Sequence, residues 1–281
     1  MRRTLLGKVV FFAMLLLMVP AAFAIPSVKI ANLPRVLQET SGLIYIKPYL
    51  WTLVDDTNTR LYALSPKTGR IKKSVRLLGV RNRDWEALAF DEHYIYVGDL
   101  GNNSGGRPRQ VIYRFSRAAL LKSRIKRVRK IIYSYPGKTK HNQRFNHDYD
   151  AEAMIVTSRF IVIFTKNWRS GNTTVYRLPK RPGRYRATRL ASLKAWGLTT
   201  AASLAKHTLW LLAYRPGLFG FGVYLGRAGF ADLDAIANTR LTYQTLNLRC
   251  QAEALAVEGR HAWVSCEGRG TVPASLYRLS L

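Results

Sequence analysis

The stretch EALAFDEHYIYVGD (residues 86–99) decides how this chain folds. A short apolar run opens on an acid, a tight polar turn follows, and a second run rich in aromatic and β-branched residues closes on Asp99. That pattern reads as two strands of a half-buried hairpin. The design returns in SGLIYIKPYLWTLVDD (41–56), EAMIVTSRFIVIFTKN (152–167), ASLAKHTLWLLAYR (202–215) and EALAVEGRHAWVSCEG (253–268). A third strand lies behind each hairpin: RLYAL (60–64), VIYRF (111–115), TVYRL (174–178), GVYLG (222–226) and SLYRL (275–279). After the first four units a further extended segment follows, as in RIKKSVRLL (70–78) and RLTYQTL (240–246).

Units of about fifty residues with four strands each predict an all-β fold, a five-bladed β-propeller with four-stranded blades. The blades are expected to start near residues 41, 86, 152, 202 and 253. The fifth unit ends after its third strand, so SVKIANL (27–33), the N-terminal strand, is expected to complete the last blade. Only RAALLKSR (117–124) reads as helical, a short insertion.

Arg2, Arg3 and Lys8 precede the apolar run VVFFAMLLLM (9–18), and Ala22-Phe23-Ala24 offers a small-residue cleavage site. Charged, apolar and small residues in that order predict a signal peptide over 1–24, ahead of one propeller domain over 25–281. The expected product is secreted or periplasmic, without a membrane span after cleavage, and monomeric. Cys250 and Cys266 are the chain's two cysteines. In an exported protein they are expected to form a disulfide across the last hairpin. Zinc is not expected, since no suitably spaced histidines join them.

Lys and Arg number 45 against 16 Asp and Glu, a formal net charge of +29. Such a surface attracts polyanions, so an anionic small molecule or polymer is the expected partner. The basic residues are scattered between strands and match no specific nucleic-acid module such as a zinc finger or basic zipper. PGKT (136–139) lacks the earlier glycine of a phosphate-binding loop, and no Gly-x-Ser-x-Gly elbow is present.

The acids that open the hairpins carry the functional reading. In a propeller the first strand of each blade lines the central channel, so Ser41, Glu86, Glu152, Ala202 and Glu253 are expected at one common end, with Thr200 and Ser203 near the fourth position. Converging carboxylates repel by roughly 3 kcal/mol per pair at about 6 Å and an effective dielectric near 20. Protonation, a basic side chain or a bound cation would relieve this. Oxygen ligands without histidine favour a hard cation, and Ca2+ suits an exported protein. Ser41, Glu86, Glu152 and Glu253 are the expected metal ligands, with Asp84 in support from outside.

The layout resembles the calcium-activated nucleotidases, or apyrases, which are secreted five-bladed propellers with calcium on the axis. SGLIYIKPYLWTLVDDTNTRLYAL, EALAFDEHYIYVGDLG, AASLA and AEALAV match in order. The resemblance implies serine before Gly-Leu in the first blade, glutamate in the second, third and fifth, and serine in the fourth. Ser41, Glu86, Glu152 and Glu253 fit, while Ala202 with Ser203 fits after a one-residue adjustment. The chain also resembles exported bacterial propellers marked by DWE and GDLGNN.

Loops between second and third strands open on the same end. They hold Asp55, Asp56 and Asp99 as candidate catalytic carboxylates, and Arg60, Arg107, Lys166, Arg169, Arg215 and Arg269 as candidate grips for a phosphate-bearing ligand. Trp168 or Phe219 is placed to stack a base. Two functions follow: a calcium-stabilised propeller that binds an anionic ligand, or a calcium-dependent hydrolase of nucleotides or other phosphate esters.

Overall fold

The computed structural model describes residues 24–138, 143–218 and 220–281, which form five sheets around one axis. Residues 1–23 of the expected 1–24 signal peptide lie outside the described residues, as does Phe219. Blade one comprises Thr40–Ile46, Tyr49–Val54, Arg60–Leu64 and Ile71–Leu77. Blade two comprises Trp85–Phe90, Tyr94–Asp99, Gln110–Ser116 and Arg129–Ser134; blade three, Ala151–Val156, Phe160–Thr165, Thr173–Pro179 and Thr188–Leu193. Blade four comprises Leu198–Ala205, Thr208–Gly217, Gly220–Gly229 and Thr242–Leu246.

Blade five is built from both ends of the domain. Ala252–Glu258, His261–Cys266 and Ser275–Ser280 supply three strands, and Ser27–Asn32 pairs antiparallel with Ser275–Ser280 as the fourth. The pairing satisfies a strand edge that would otherwise expose its backbone donors and acceptors. It also closes the ring: each innermost strand packs on the next, from Thr40–Ile46 round to Ala252–Glu258 and back.

The core is five wedges, one between each pair of neighbouring blades. Leu53, Trp85, Val97 and Phe115 fill the first. Tyr96, Tyr133, Ile163 and Tyr176 fill the second, and Phe164, Leu193, Leu211 and Ile236 the third. Leu212, Val223, Leu255 and Val264 fill the fourth, and Leu37, Leu50, Ala256 and Trp263 the fifth. The alternation seen in the second strand of each unit serves this interface, with successive side chains facing opposite neighbours.

Residues 117–124 depart from the helical expectation. Arg117–Leu121 form a 3-10 turn, and Arg124–Ile125 pair parallel with Ile71–Leu77 on the outside of blade one. Eight residues are too few to sustain an isolated helix, whereas the open blade edge supplies backbone partners. Gly183–Arg186 covers the outside of blade two in the same way. No helix among the described residues is long and apolar enough to cross a membrane.

Cys250 and Cys266 form a disulfide, with Cα atoms 5.8 Å apart. It ties the approach to Ala252–Glu258 to the end of His261–Cys266, where Ala252 pairs with Cys266. Replacing both cysteines by serine is expected to lower the unfolding free energy by roughly 3 kcal/mol, the chain-entropy value for a loop of this length. Urea unfolding of the two proteins side by side measures it.

Candidate metal centre at the channel mouth

One local irregularity, repeated in all five blades, builds this site. At the start of each innermost strand the pairing register slips by one residue, between Trp85 and Ala87, Ala151 and Ala153, Thr199 and Ala201, and Ala252 and Ala254. In blade one the slip falls between Thr40 and Leu43. A β-bulge leaves one residue unopposed and re-aims its side chain. The residues so placed are Ser41, Glu86, Glu152, Thr200 and Glu253. The fourth blade thus corrects the sequence register. Thr200, not Ala202, holds the axial position, and its hydroxyl donates to the Ala252 carbonyl at 2.6 Å.

The residue after each bulge is small: Gly42, Ala87, Ala153, Ala201 and Ala254. Here the inner strands press together. A Cβ on Gly42 would collide with the backbone of Ala87 and Leu88.

Two more rings surround the bulge ring at the same end. Glu39, Asp84, Asp150, Leu198 and Gln251 lead into the five inner strands. Asp55, Leu100, Lys166, Tyr214 and Glu267 lie where the second strands leave the axis. The backbone bonds repeat: Asp55 N–H to Glu39 O, Leu100 to Asp84, Lys166 to Asp150 and Glu267 to Gln251, at 2.9–3.1 Å. Together the three rings hold eight carboxyl groups and one ammonium, that of Lys166. Half of the acids of a strongly basic chain therefore gather at one channel mouth.

The bulge-ring acids are buried, with Glu86, Glu152 and Glu253 only 5%, 4% and 3% exposed. Ser41 Oγ donates to Glu86 Oε2 at 2.9 Å. Lys166 Nζ, buried too, lies 2.6 Å from Glu152 Oε1 and 3.9 Å from Glu253 Oε1. Gln251 Nε2 donates to Glu253 Oε1 and Glu267 Oε2, both at 2.7 Å. Glu152 Oε2 and Glu253 Oε2 are buried without any hydrogen-bond partner. On the other side of the mouth, Asp55, Asp84 and Glu86 place carboxylate oxygens within 4.8 Å of one another.

The DWE and GDLGNN stretches act as one unit to deliver these acids. Asp99 accepts the Asp84 N–H at 3.1 Å and pairs with Arg107 at 2.8 Å. The Asp84 carboxylate lies directly over Gly101, where any Cβ would collide with it. Asn102 N–H donates to Asp150 Oδ1 at 2.6 Å, and the Trp168 indole donates to Asp150 Oδ2 at 2.7 Å. Asp150 is thereby satisfied within the protein. Trp85 fills the core, and its indole donates to the Arg81 carbonyl.

The other sequence candidates divide into two groups. Arg107 is buried and bonded to Asp99 and to the Gly101 and Arg109 carbonyls, so both Asp99 and Arg107 are already partnered. Lys166 is partnered by the axial glutamates. Arg60 donates to Ser74 on the flank of blade one, beside a lateral cavity with Arg76. Arg169 and Arg269 are exposed on the loops, Arg215 is exposed near the end of the Thr208–Gly217 strand, and Asp56 is exposed and accepts the Asn58 N–H. Glu39, Asp150 and Glu267 were not singled out from the sequence. Their signal was position, one residue before an inner strand or one after a second strand.

Burial and mutual repulsion shape the protonation of this mouth. Burial, then the charge of Asp84, pushes Asp55 up to about 8. Burial, then Glu253, pushes Glu267 up to about 9. Burial followed by Glu152 holds Glu86 well above the usual carboxylate range, and burial followed by Asp150 raises Asp84. Glu152 is raised by burial although Lys166 works against the rise. Burial alone would lower Lys166, but Glu152 and Glu253 outweigh it and raise its pKa.

No family model matches the sequence, and no curated protein matches it significantly. Among solved structures, the chain is similar to Myxococcus xanthus glutaminyl cyclase, at 11% identity and a TM-score of 0.53 over 91% of this chain and 97% of that one. It is also similar to U3-55K, at 12% identity and a TM-score of 0.47, covering 90% and 98% of the two chains. The β-propeller domain of Myceliophteria thermophila Cps50 (Swd1) follows at 8% identity and a TM-score of 0.43, covering 91% and 100%. At 11% identity the likeness to the cyclase speaks to fold alone. The chain is a five-bladed β-propeller.

The raised acids carry a pH signature. A carboxyl whose folded pKa exceeds its unfolded value near 4 stabilises the fold when protonated and loses that contribution as pH rises. In chelator, the melting temperature is expected to fall as pH rises from about 4 through the values near 8 and 9 set by Asp55 and Glu267. A melting temperature that stays level or climbs over that range would contradict this electrostatic picture.

Proposed function

We propose that the channel mouth holds one divalent cation, calcium in an exported protein, and that the cation and its surrounding loops bind a phosphate-bearing or otherwise anionic ligand. One observation carries the reading: Asp55, Asp84 and Glu86 bring carboxylate oxygens within 4.8 Å of one another, in a mouth whose axial glutamates already leave Glu152 Oε2 and Glu253 Oε2 without partners. Unpaired buried carboxylates are costly, and a cation offsets that cost. The donors are oxygens throughout, which suits a hard ion. Asp55, Asp84 and Glu86 would hold it, with Ser41 orienting Glu86.

An anion reaches so acidic a mouth only with positive charge between. The cation supplies it at the centre, and the exposed Arg169, Arg215 and Arg269 supply it at the rim. The disulfide is compatible with the oxidising compartment that the N-terminal sequence suggests. The hydrolase reading draws on the same centre. A cation beside Asp55 would polarise a phosphate oxygen and lower the pKa of bound water, while Asp99, paired with Arg107, is withdrawn from that work.

Calcium is expected to raise the melting temperature in proportion to the logarithm of its concentration above saturation. Asp84→Asn is expected to move the rise to about a hundredfold higher calcium. Gly101→Ala, which displaces the Asp84 carboxylate, is expected to weaken calcium about tenfold or more, a cost of at least 1.4 kcal/mol. A melting temperature indifferent to calcium sinks the metal centre. With calcium bound, inositol phosphates or nucleoside diphosphates are expected to bind in a salt-dependent manner. Phosphate release from those compounds separates the hydrolase from the binder.

A further inference from the structure

We propose that Lys166 is a built-in counter-cation that occupies one side of the axial carboxylates, so that a divalent ion binds off the axis, against Asp55, Asp84 and Glu86. The inference rests on the metal centre proposed above and specifies where in it the ion sits. Lys166 follows the second strand of blade three, in the ring position that blades one and five fill with Asp55 and Glu267. From there its ammonium reaches Glu152 at 2.6 Å and Glu253 at 3.9 Å.

The ammonium is held on every side. Trp168 and Tyr214 face it with ring centroids 4.9 and 5.0 Å away. Such aromatic faces favour a cation. With the side chain 3% exposed, no solvated alternative lies nearby. The glutamates of blades three and five are thus committed to an internal charge, and each keeps one oxygen unpartnered.

Of the remaining acids, Asp150 is bonded by Asn102 and Trp168 and Glu267 by Gln251, which leaves Glu39, Asp55, Asp84 and Glu86 of blades one and two. The axial cavity that Glu86 shares with Glu152 measures about 10 Å³, room for roughly one water. A divalent ion with its waters does not fit in that space, which Leu88, Met154 and Leu255 line on the channel side. Toward the mouth, by contrast, Asp55 and Asp84 are half-buried and bring their oxygens within 4.8 Å of Glu86. The geometry therefore splits the acids in two, one half neutralised by the chain and the other open to metal.

The test is calorimetric titration of the full-length mature protein with calcium chloride. In the wild type one ion per chain is expected. Lys166→Met is expected to bind calcium at least about tenfold more tightly, because a neighbouring positive charge has gone. Unchanged or weaker binding overturns the proposal. Should that variant fail to fold, two neutral substitutions in the wild-type background decide. Asp84→Asn is expected to weaken calcium about a hundredfold, and Glu253→Gln no more than about threefold. The reverse order places the ion on the axis and overturns the proposal. A wild type that takes up no calcium overturns the metal centre as well, whereas a binding wild type with an indifferent Lys166→Met overturns this inference alone.

Discussion

Like charges forced together at the end of a channel are the constraint around which this propeller is arranged. A bulge in each inner strand aims one side chain at the axis, and three of the five are glutamates. At the 4.8 Å that gathers Asp55, Asp84 and Glu86, each ionised pair repels by about 3 kcal/mol at an effective dielectric near 20. Two or three such pairs rival the whole stability of a domain, which is of order 10 kcal/mol. The chain answers with Lys166 against Glu152 and Glu253, and with Gln251 donating to Glu253 and Glu267. Raised pKa values answer part of the rest. An external cation would answer it without protonation, so the proposed metal centre and the pH behaviour of the metal-free fold are two views of one interaction.

The supports for those acids are structural residues whose types follow from the site. Gly101 is glycine because the Asp84 carboxylate occupies the space of a side chain. Gly42 and the alanines at 87, 153, 201 and 254 are small because neighbouring inner strands meet there. Asp99 and Arg107 form a buried pair whose carboxylate also accepts the Asp84 N–H, and so fixes the backbone that presents Glu86. Asn102 carries the same framework across to Asp150 of the next blade. Removing one partner of such a buried pair leaves a charge stranded, which is costlier than losing the attraction itself.

Much of this architecture could be read from the residues, because the repeat is long and each hairpin alternates cleanly. The displaced strand at Ser27–Asn32 followed from counting strands, and the disulfide from the placement of two cysteines across one hairpin. The fourth blade was misread for a physical reason. LTTAASLA is a run of small residues, and a bulge breaks alternation just where the register has to be chosen. The pattern that resolves it is an axial residue followed by a small one: Ser-Gly, Glu-Ala, Glu-Ala, Thr-Ala and Glu-Ala. The roles of Arg107 and Lys166 were hidden more deeply. Both lie on segments that follow a second strand, while their partners sit in strands, and sequence distance says nothing about which carboxylate such a basic side chain meets.

Net charge and local charge then have to be kept apart. A surplus of 29 positive charges describes the surface, where salt screens beyond about 8 Å at physiological ionic strength. The mouth is buried enough to escape much of that screening, so its eight carboxyls and one ammonium set the local potential. The chain therefore repels cations at long range and attracts them at its centre, while polyanions meet the opposite sequence. Under the proposed function, a phosphate-bearing ligand drawn to the basic surface would gain nothing at the mouth until a divalent ion is in place. Under the same proposal, ligand binding on this face would depend on metal first, with the rim arginines Arg169, Arg215 and Arg269 acting only once a cation offsets the central carboxylates.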